Sequence, residues 1–590
     1  MMDLIYRLRT RRDLASSLGI PYKKLTYILY KKGTDNCYVS FHVPKRSGGE
    51  REICAPDDDL KEIQKKLASF LQDQRIQMQE ECDVPQVLSH GFEPGKNIFT
   101  NAKIHRNKRF VLNLDLEDFF GSIHFGRIVG YLEKNKSLAF SHEVAVAIAQ
   151  LCCYQGKLPQ GAPTSPVLAN MVSEVLDFRL LKIARKYRLD YTRYADDLSF
   201  STNDSTFLER YESCYHELSG TIKHAGFAVN EKKTRLQYRD SRQTVTGLVV
   251  NRKINIDRRY YKETRAMAHQ LYKTGEFQIN GAKGTLNQLE GRFAFIHQCD
   301  LLNSDRLTPK CSDKGFTARE IQYQKFLFYK TFYAHDAPLL VTEGPTDILY
   351  LKAALMNMYI DYPNLIQKER DGTFTFKIRF FQRAPRKKRY AGNSQENNPP
   401  KPPRWKYLFG VTEGADSLGN IYDFFAGENN RPNYFDYFSK IRKFTQLSPV
   451  ILIFDNELEN KDKPIRKFIG RIHRKKVKER VTDDIRHNNY SHVLKDSNLH
   501  LVTHQLCEGE KEGEIESLFT KDTLSTELGG KRFNPIEKTF DKSKHYGKDI
   551  FSKYVLSHYE NINFDGFRPM LDRINSIITE SEQIPQNTPL

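Results

Sequence analysis

The sequence predicts a multidomain protein of mixed α/β and α+β class, and three observations carry that prediction. Its 590 residues exceed what one hydrophobic core can serve, which sets an expectation of about four domains or subdomains. Two well-separated apolar runs, "RFVLNLD" (109–115) and "PLLVTE" (338–343), read as buried strands ending in a carboxylate. Between and after them apolar residues recur at helical spacing, so strands alternate with helices rather than following one another as in an all-β chain.

In chain order, residues 1–35 read as short helices, with a glycine stop after "RDLASSLG". "YVSFHVPKRSGGEREICAP" (38–56) has the form of two strands joined by a Ser-Gly-Gly turn. Helices follow at 58–77, and "VAVAIAQLCCY" (144–154) suits a buried helix. Residues 166–188 form a long helix with proline at its start. "YTRYADDLSF" (191–200) is a strand-like run interrupted by two adjacent aspartates. A helix near 205–225 and a strand pair around "TVTGLVVN" (244–251) come next, and 258–330 looks helical throughout. At 338 a second α/β pattern begins, whose partner strand is "VILIF" (450–454), leading into "DNE". Between these strands lies a basic insertion, 366–410. Its segment 377–406 holds ten Lys or Arg against one Glu around "NNPPKPP", and reads as a loop or arm without a core. The main boundary is expected between 320 and 337, with 321–336 as a linker.

Lys and Arg outnumber Asp and Glu by 92 to 73, a formal charge of +19. That balance favours a polyanionic partner, nucleic acid before an anionic membrane surface. No run approaches a membrane span, and the basic N-terminus lacks a signal-like apolar core, so no membrane partner is expected. The nine cysteines show no CxxC spacing. Neither a zinc site nor a disulfide framework is indicated, and a reducing cytoplasm is the expected compartment. Composition leaves the oligomeric state open, a homo-oligomer included.

Asp196 and Asp197 stand side by side and repel unless something positive neutralises them. The ordinary alternative is turn chemistry at a hairpin tip, and for Asp115 a strand-end or helix-capping role. Three such carboxylates brought together would instead suit Mg²⁺, which takes a few carboxylates and completes its shell with water and phosphate oxygens. Paired Mg²⁺ ions can clamp both oxygens of a phosphoryl transfer and would remove the repulsion.

Through these residues the chain resembles a reverse transcriptase over most of 35–300. "DLEDFF" (115–120) is similar to the first palm motif, with Asp115 a metal ligand and Phe119 at the nucleotide. "LPQGAPTSPVLANM" (158–171) resembles the motif beneath nucleotide and template, carried by Gln160 and Gly161. "YADD" (194–197) resembles the polymerase hairpin, and "GFAVNEKKT" (226–234) the next motif, with Lys233 near the triphosphate. "VPKRSGGEREICAP" (43–56) resembles the fingers hairpin, where Lys45 and Arg51 would grip phosphates. The resemblance implies a right-hand polymerase with fingers 1–105, palm 106–252 and a thumb-like part 253–320. It also implies deoxynucleoside triphosphates as substrates.

Two further strings resemble retron reverse transcriptases in particular: "NAKIH" (101–105), carrying Asn101 and His105, and "VTG", Val245, Thr246 and Gly247. The resemblance implies RNA-binding roles for these five residues. It also implies copying of part of a dedicated structured noncoding RNA, primed from a guanosine 2′-hydroxyl, into a branched RNA–DNA product that stays bound. Basic and aromatic residues at 258–300 suit RNA backbone contact and stacking, with a solvated helix face as the ordinary alternative.

"LLVTEGPTD" (339–347) and "ILIFDNE" (451–457) again place carboxylates at strand ends, where open parallel sheets build sites. The pair resembles a toprim domain, 337–590, with Glu343, Asp347 and Asp455 as Mg²⁺ ligands. Glu457 stands where the usual motif has a second aspartate and reaches one methylene further. "EIESLF" (514–519) resembles an acidic element of toprim nucleases of the overcoming-lysogenisation type, with Glu516 a ligand. "YGKDIF" (546–551) would supply Lys548 as a charge stabiliser. The whole resembles a retron reverse transcriptase fused to a nuclease acting on RNA or DNA, restrained until phage infection releases it. Two alternatives stay open: an inert toprim scaffold that only binds RNA–DNA, and a mobile-element reverse transcriptase with an attached DNA nuclease.

Overall fold

A computed structural model describes residues 8–45, 48–81, 88–135, 137–303, 315–383, 403–412, 416–442, 447–535 and 539–582. The chain divides into two compact units, one up to Arg258 and one from Arg259 onward.

In the first unit, β1 (Tyr38–Pro44) and β2 (Glu50–Pro56) pair antiparallel as the expected hairpin. The central sheet is built on β3 (Phe110–Glu117), flanked by β5 (Asp197–Thr202), which pairs in turn with β4 (Asp190–Tyr194). Short strands β6 (Ala228–Val229) and β7 (Arg235–Tyr238) also pair with β3. The two-residue period of a strand sorts the side chains. Phe110, Leu112, Leu114 and Leu116 of β3, with Leu198 and Phe200 of β5, enter a core shared with the helices His142–Cys152 and Ser165–Lys186. The alternate positions, Asn113 and Asp115 on β3 and Asp197 and Ser199 on β5, therefore belong to the opposite face. A hairpin of β8 (Thr244–Val245) and β9 (Leu248–Val249) follows.

The second unit opens with helices Arg258–Thr274 and Leu286–Leu302, joined through a small hairpin of β10 (Gln278–Ile279) and β11 (Ala282–Lys283). Helix Ala318–Phe328 runs on into a π-helical turn, Tyr329–Tyr333. Next come β12 (Leu339–Val341), a hairpin of β13 (Ile366–Lys368) and β14 (Phe374–Phe376), and β15 (Arg379–Phe380). The last three strands of the main sheet are β16 (Val450–Phe454), β17 (Tyr490–His492) and β18 (Leu499–Thr503). Its order is β15-β12-β16-β18-β17, parallel except for the edge strand β17. Alternation again sorts the faces. Leu339, Val341, Val450, Leu452, Leu499 and Leu501 join one core, while Leu340, Ile451, Ile453 and Val502 join another with Tyr350, Leu351 and Phe551.

Two expectations about organisation are corrected here. Residues 321–336 are no linker: Tyr323, Phe326, Phe328, Tyr329, Phe332 and Tyr333 are buried. They share one core with Leu271, Tyr272 and Phe293 of the thumb-like helices and with the parallel sheet. Aromatic residues at helical spacing, rather than Gly, Pro or Ser, were the signal for this. The basic segment 377–406 is likewise more than an arm. Its basic centre falls on 384–402, outside the described residues, but Ile378, Phe381, Trp405, Tyr407, Leu408 and Phe409 around it are core residues. Among the described residues, no helix is long and apolar enough to cross a membrane.

Candidate active sites: two carboxylate clusters

Strand register assembles the first cluster. Asp115 on β3 lies directly opposite Asp197 on β5, and Tyr194 pairs with Asp197 across a two-residue tip, Ala195-Asp196. The tip is tied to β3 by Leu116, whose N–H donates to the Asp196 carbonyl at 3.0 Å. Asn230 donates to the Asp115 carbonyl at 2.8 Å, which brings Lys233 alongside. The Lys233 ammonium donates to both Asp115 oxygens at 3.0 Å. Burial pushes the Asp197 carboxyl up to about 7, and the Asp196 and Asp115 charges add to the shift while Lys233 opposes it. Burial also raises Asp196, with Asp115 adding and the Lys233 and Arg51 charges opposing. Arg51 stands on β2. Lys45 lies exposed at the other end of the same turn, its N–H donating to Gly49.

A cavity of about 350 Å³ adjoins the cluster, lined by Asp115, Asp197, Tyr194, Lys233, Thr246 and Gly247 among others. Thr246 and Gly247 therefore face one space with Asp115 and Asp197. Val245 is buried, and Thr246 and Gly247 form a tight tip with φ of 45° and 80°, a conformation unusual for a β-branched residue.

Other expected site residues lie elsewhere. Asn101 and His105 are fully buried. Four residues apart on helix Ile98–Ile104 and its C-cap, they share one face and clamp the carboxylate hairpin. The His105 nitrogens meet Ser201 and Thr192 hydroxyls at 2.7 Å, and Thr192 donates to Asn101. Burial drives the His105 imidazole down to about 3, so it is neutral. Phe119 is also buried, packed on Phe120 and Phe227. Gly161 serves the fingers: at φ 122°, a Cβ there would meet the Cys54 carbonyl at 2.9 Å. Gln160 accepts from the Cys54 N–H at 2.8 Å, docking this loop on β2.

The second cluster forms at the carboxyl ends of β12 and β16, as parallel sheets arrange. Glu343 accepts from the Asp455 N–H at 3.1 Å, and Asp455 accepts from the Ile515 N–H at 2.8 Å. Asp347 caps its own helix through the Gly344 N–H at 2.8 Å. Lys548 donates to Glu514 at 2.9 Å and Glu516 at 3.0 Å. Burial pushes Glu343 up to about 8, with the Asp347 and Glu457 charges adding and Lys548 opposing. Asp455 is raised well above its ordinary range by burial and by the Glu343, Asp347 and Glu516 charges. Burial works against the charged form of Lys548, but Glu516 and Glu514 outweigh it and raise its value. Glu457 is taken up by an ion pair with Lys463.

Among the described residues, no group of three or more Asp, Glu, His or Cys side chains is gathered into a metal-holding cluster. The chemistry of both sites nonetheless suits a divalent cation. Each buries several carboxylates, which burial raises first and neighbouring carboxylates second, while lysines oppose only part of the shift. Sequence reasoning missed Lys463, Glu514 and His504, the last buried with a ring nitrogen 4.0 Å from Asp455. It also missed a buried network under the first hairpin, Arg193 with Asp177 and Asn170. An arginine inside an otherwise strand-forming run was the available signal.

A model of the family described as reverse transcriptase (RNA-dependent DNA polymerase) matches residues 43–264. The chain is 35% identical over 327 residues to the retron Mx65 reverse transcriptase of Myxococcus xanthus, covering 52% of this chain and 72% of that protein. It is 32% identical over 278 residues to the retron Ec86 reverse transcriptase of Escherichia coli, covering 47% and 82%. Among solved structures, telomerase from Candida albicans aligns with a TM-score of 0.30 at 13% identity, over 50% of this chain and 58% of that one.

Proposed function

The chain belongs to the retron reverse transcriptase family, and from that premise we propose that its first unit and thumb-like helices copy a dedicated noncoding RNA into branched, RNA-linked single-stranded DNA. The observation that carries this reading is the register pairing of Asp115 with Asp197, with Asp196 at the adjoining tip and Lys233 on Asp115. Phosphoryl transfer asks mainly for positioning and charge neutralisation. Asp115, Asp196 and Asp197 would hold Mg²⁺, which when bound supplies the charge that stabilises the transferring phosphoryl group. Lys45 and Arg51 stand on a turn containing Gly48 and Gly49, both at positive φ, and would meet the triphosphate of an incoming deoxynucleotide. The test is to purify the protein with its native operon and recover the bound nucleic acid. A discrete RNA-linked DNA, absent from Asp197→Asn, is expected. No such product, with no extension on any RNA template, would contradict the reading.

For residues 337–590 we infer a toprim-like, Mg²⁺-dependent nuclease that is restrained in the cytoplasm and released in anti-phage defence. The convergence of Glu343, Asp347, Asp455 and Glu516 with Lys548 at the carboxyl ends of parallel strands supports it. The test is Mg²⁺-dependent cleavage of labelled DNA and cellular RNA, before and after the copurifying DNA is digested. Cleavage that appears only after digestion, and only with Glu343 present, is expected. No cleavage by either preparation would favour a scaffold that binds RNA–DNA.

A further inference from the structure

We propose that Arg193 is a positioning residue for the polymerase carboxylates, fixing the hairpin tip through the Ala195 carbonyl. Arg193 is fully buried. Its Nε and Nη2 grip the Asp177 carboxylate at 2.8–3.1 Å, and Nη1 donates to Asn170 Oδ1 at 3.0 Å and to the Ala195 carbonyl at 3.3 Å. The Arg193 N–H donates to Leu88 at 3.0 Å and its carbonyl accepts from His90 at 2.7 Å, so segment 88–91 lies against the hairpin. Asn170 also holds the Gly91 carbonyl at 2.8 Å, and a Cβ on Gly91 would stand 2.6 Å from the Ala195 nitrogen.

Two of these contacts, the Arg193 Nη1 bond and the close approach of Gly91, bear on Ala195 itself. Ala195 has φ of 55°, in the left-handed region that an L-residue seldom adopts. Asp196 and Asp197 follow it directly, so a tip that relaxed would displace both. A buried ion pair is weak evidence for stability, because an apolar replacement is often neutral or better. What an arginine adds is a rigid fork that reaches a carboxylate, an amide and a carbonyl together, which a lysine cannot reproduce.

The inference rests on Asp196 and Asp197 being the polymerase carboxylates. Its test compares full-length Arg193→Lys and Arg193→Met with the parent protein in RNA-templated primer extension, thermal unfolding and hydrogen exchange. Arg193→Lys is expected to lower kcat about 100-fold, the penalty typical of a misplaced reacting group. KM for the deoxynucleotide should stay unchanged. Exchange should quicken over 194–200 but not in helix Ser165–Lys186 or the parallel sheet. Arg193→Lys with parental kcat and tip exchange would overturn the proposal. So would exchange rising evenly across the first unit with activity following the folded fraction. If Arg193→Met does not fold, Arg193→Lys decides alone. Asp196→Asn separates the premise: DNA synthesis surviving it would remove the carboxylate assignment, while the exchange measurement would still judge the Arg193 clamp.

Discussion

The two carboxylate clusters solve one electrostatic problem on different scaffolds. In the first unit, an antiparallel hairpin brings Asp197 opposite Asp115, and the turn that does so places Ala195 at positive φ. In the second, parallel β12 and β16 end side by side, so Glu343 and Asp455 meet without any positive-φ residue between 339 and 345 or between 450 and 457. The hairpin site is braced from below by Arg193 and His105, whereas the parallel site is flanked by Lys463 and Lys548. The comparison teaches that strand direction decides where strain and support must be supplied.

The largest effect that would break this picture concerns where each site's supporting unit ends. A chain stopped at Glu320 keeps the thumb-like helices but strips the aromatic residues that cover Leu271, Tyr272 and Phe293. Each such side chain is worth about 1.5–3 kcal/mol when buried, against a total stability of about 5–15 kcal/mol. Residues 259–320 should then be degraded in limited proteolysis while the unit up to Arg258 persists. A resistant 259–320 would mean that the helices fold without the sheet.

Next in size is the dependence of Mg²⁺ stabilisation on pH. The folded values of about 7 for Asp197 and about 8 for Glu343 lie above the ordinary carboxylate range of about 4. Without metal, the folded state therefore binds more protons than the unfolded state between these limits. That stabilising contribution is full below about pH 4 and is lost as pH rises through about 7 to 8. Because Mg²⁺ binds the ionised carboxylates, the rise in Tm it causes should be larger at about pH 8.5 than at about pH 6. Asp197→Asn should remove the part that grows near about 7, and Glu343→Gln the part near about 8. A pH-independent Mg²⁺ effect would contradict both assignments.

The smallest effect sharpens the role of the buried clamp. His105→Ala leaves the Thr192 and Ser201 hydroxyls without their ring partner and should destabilise the protein by about 1–3 kcal/mol. Affinity for RNA should not change, as measured by filter binding at fixed salt, because His105 is not exposed.

The polymerase core was legible in the sequence to the level of strands. The hairpins at 38–56 and 191–200 and the strand that carries Asp115 lie where expected, but which face Asp115 and Asp197 occupy came only with the structure. Glu343 and Asp455 of the second cluster could be placed from the sequence, since strand ends in a parallel sheet lie side by side, whereas Lys463, Glu514 and His504 could not. What could not be read was which polar residues turn inward. Asn101, His105 and Arg193 look like exposed binding groups until their tertiary partners are known, because burial of a polar side chain depends on hydrogen-bond partners distant in sequence. The packing of helices Arg258–Thr274 and Leu286–Leu302 on the second unit escaped for a related reason: the aromatic run at 323–333 fits one helix face as well as a linker until the facing helices are placed.

The most direct measurement is a crossed assay of parent, Asp196→Asn and Glu343→Ala proteins, each scored with Mg²⁺ for RNA-templated DNA synthesis and for nucleic-acid cleavage after the bound DNA is removed. Two independent centres predict that Asp196→Asn loses only synthesis and Glu343→Ala loses only cleavage. Cleavage that survives Glu343→Ala, or is absent from the parent, would contradict a second catalytic centre and leave the hairpin carboxylates as the one active site the account supports.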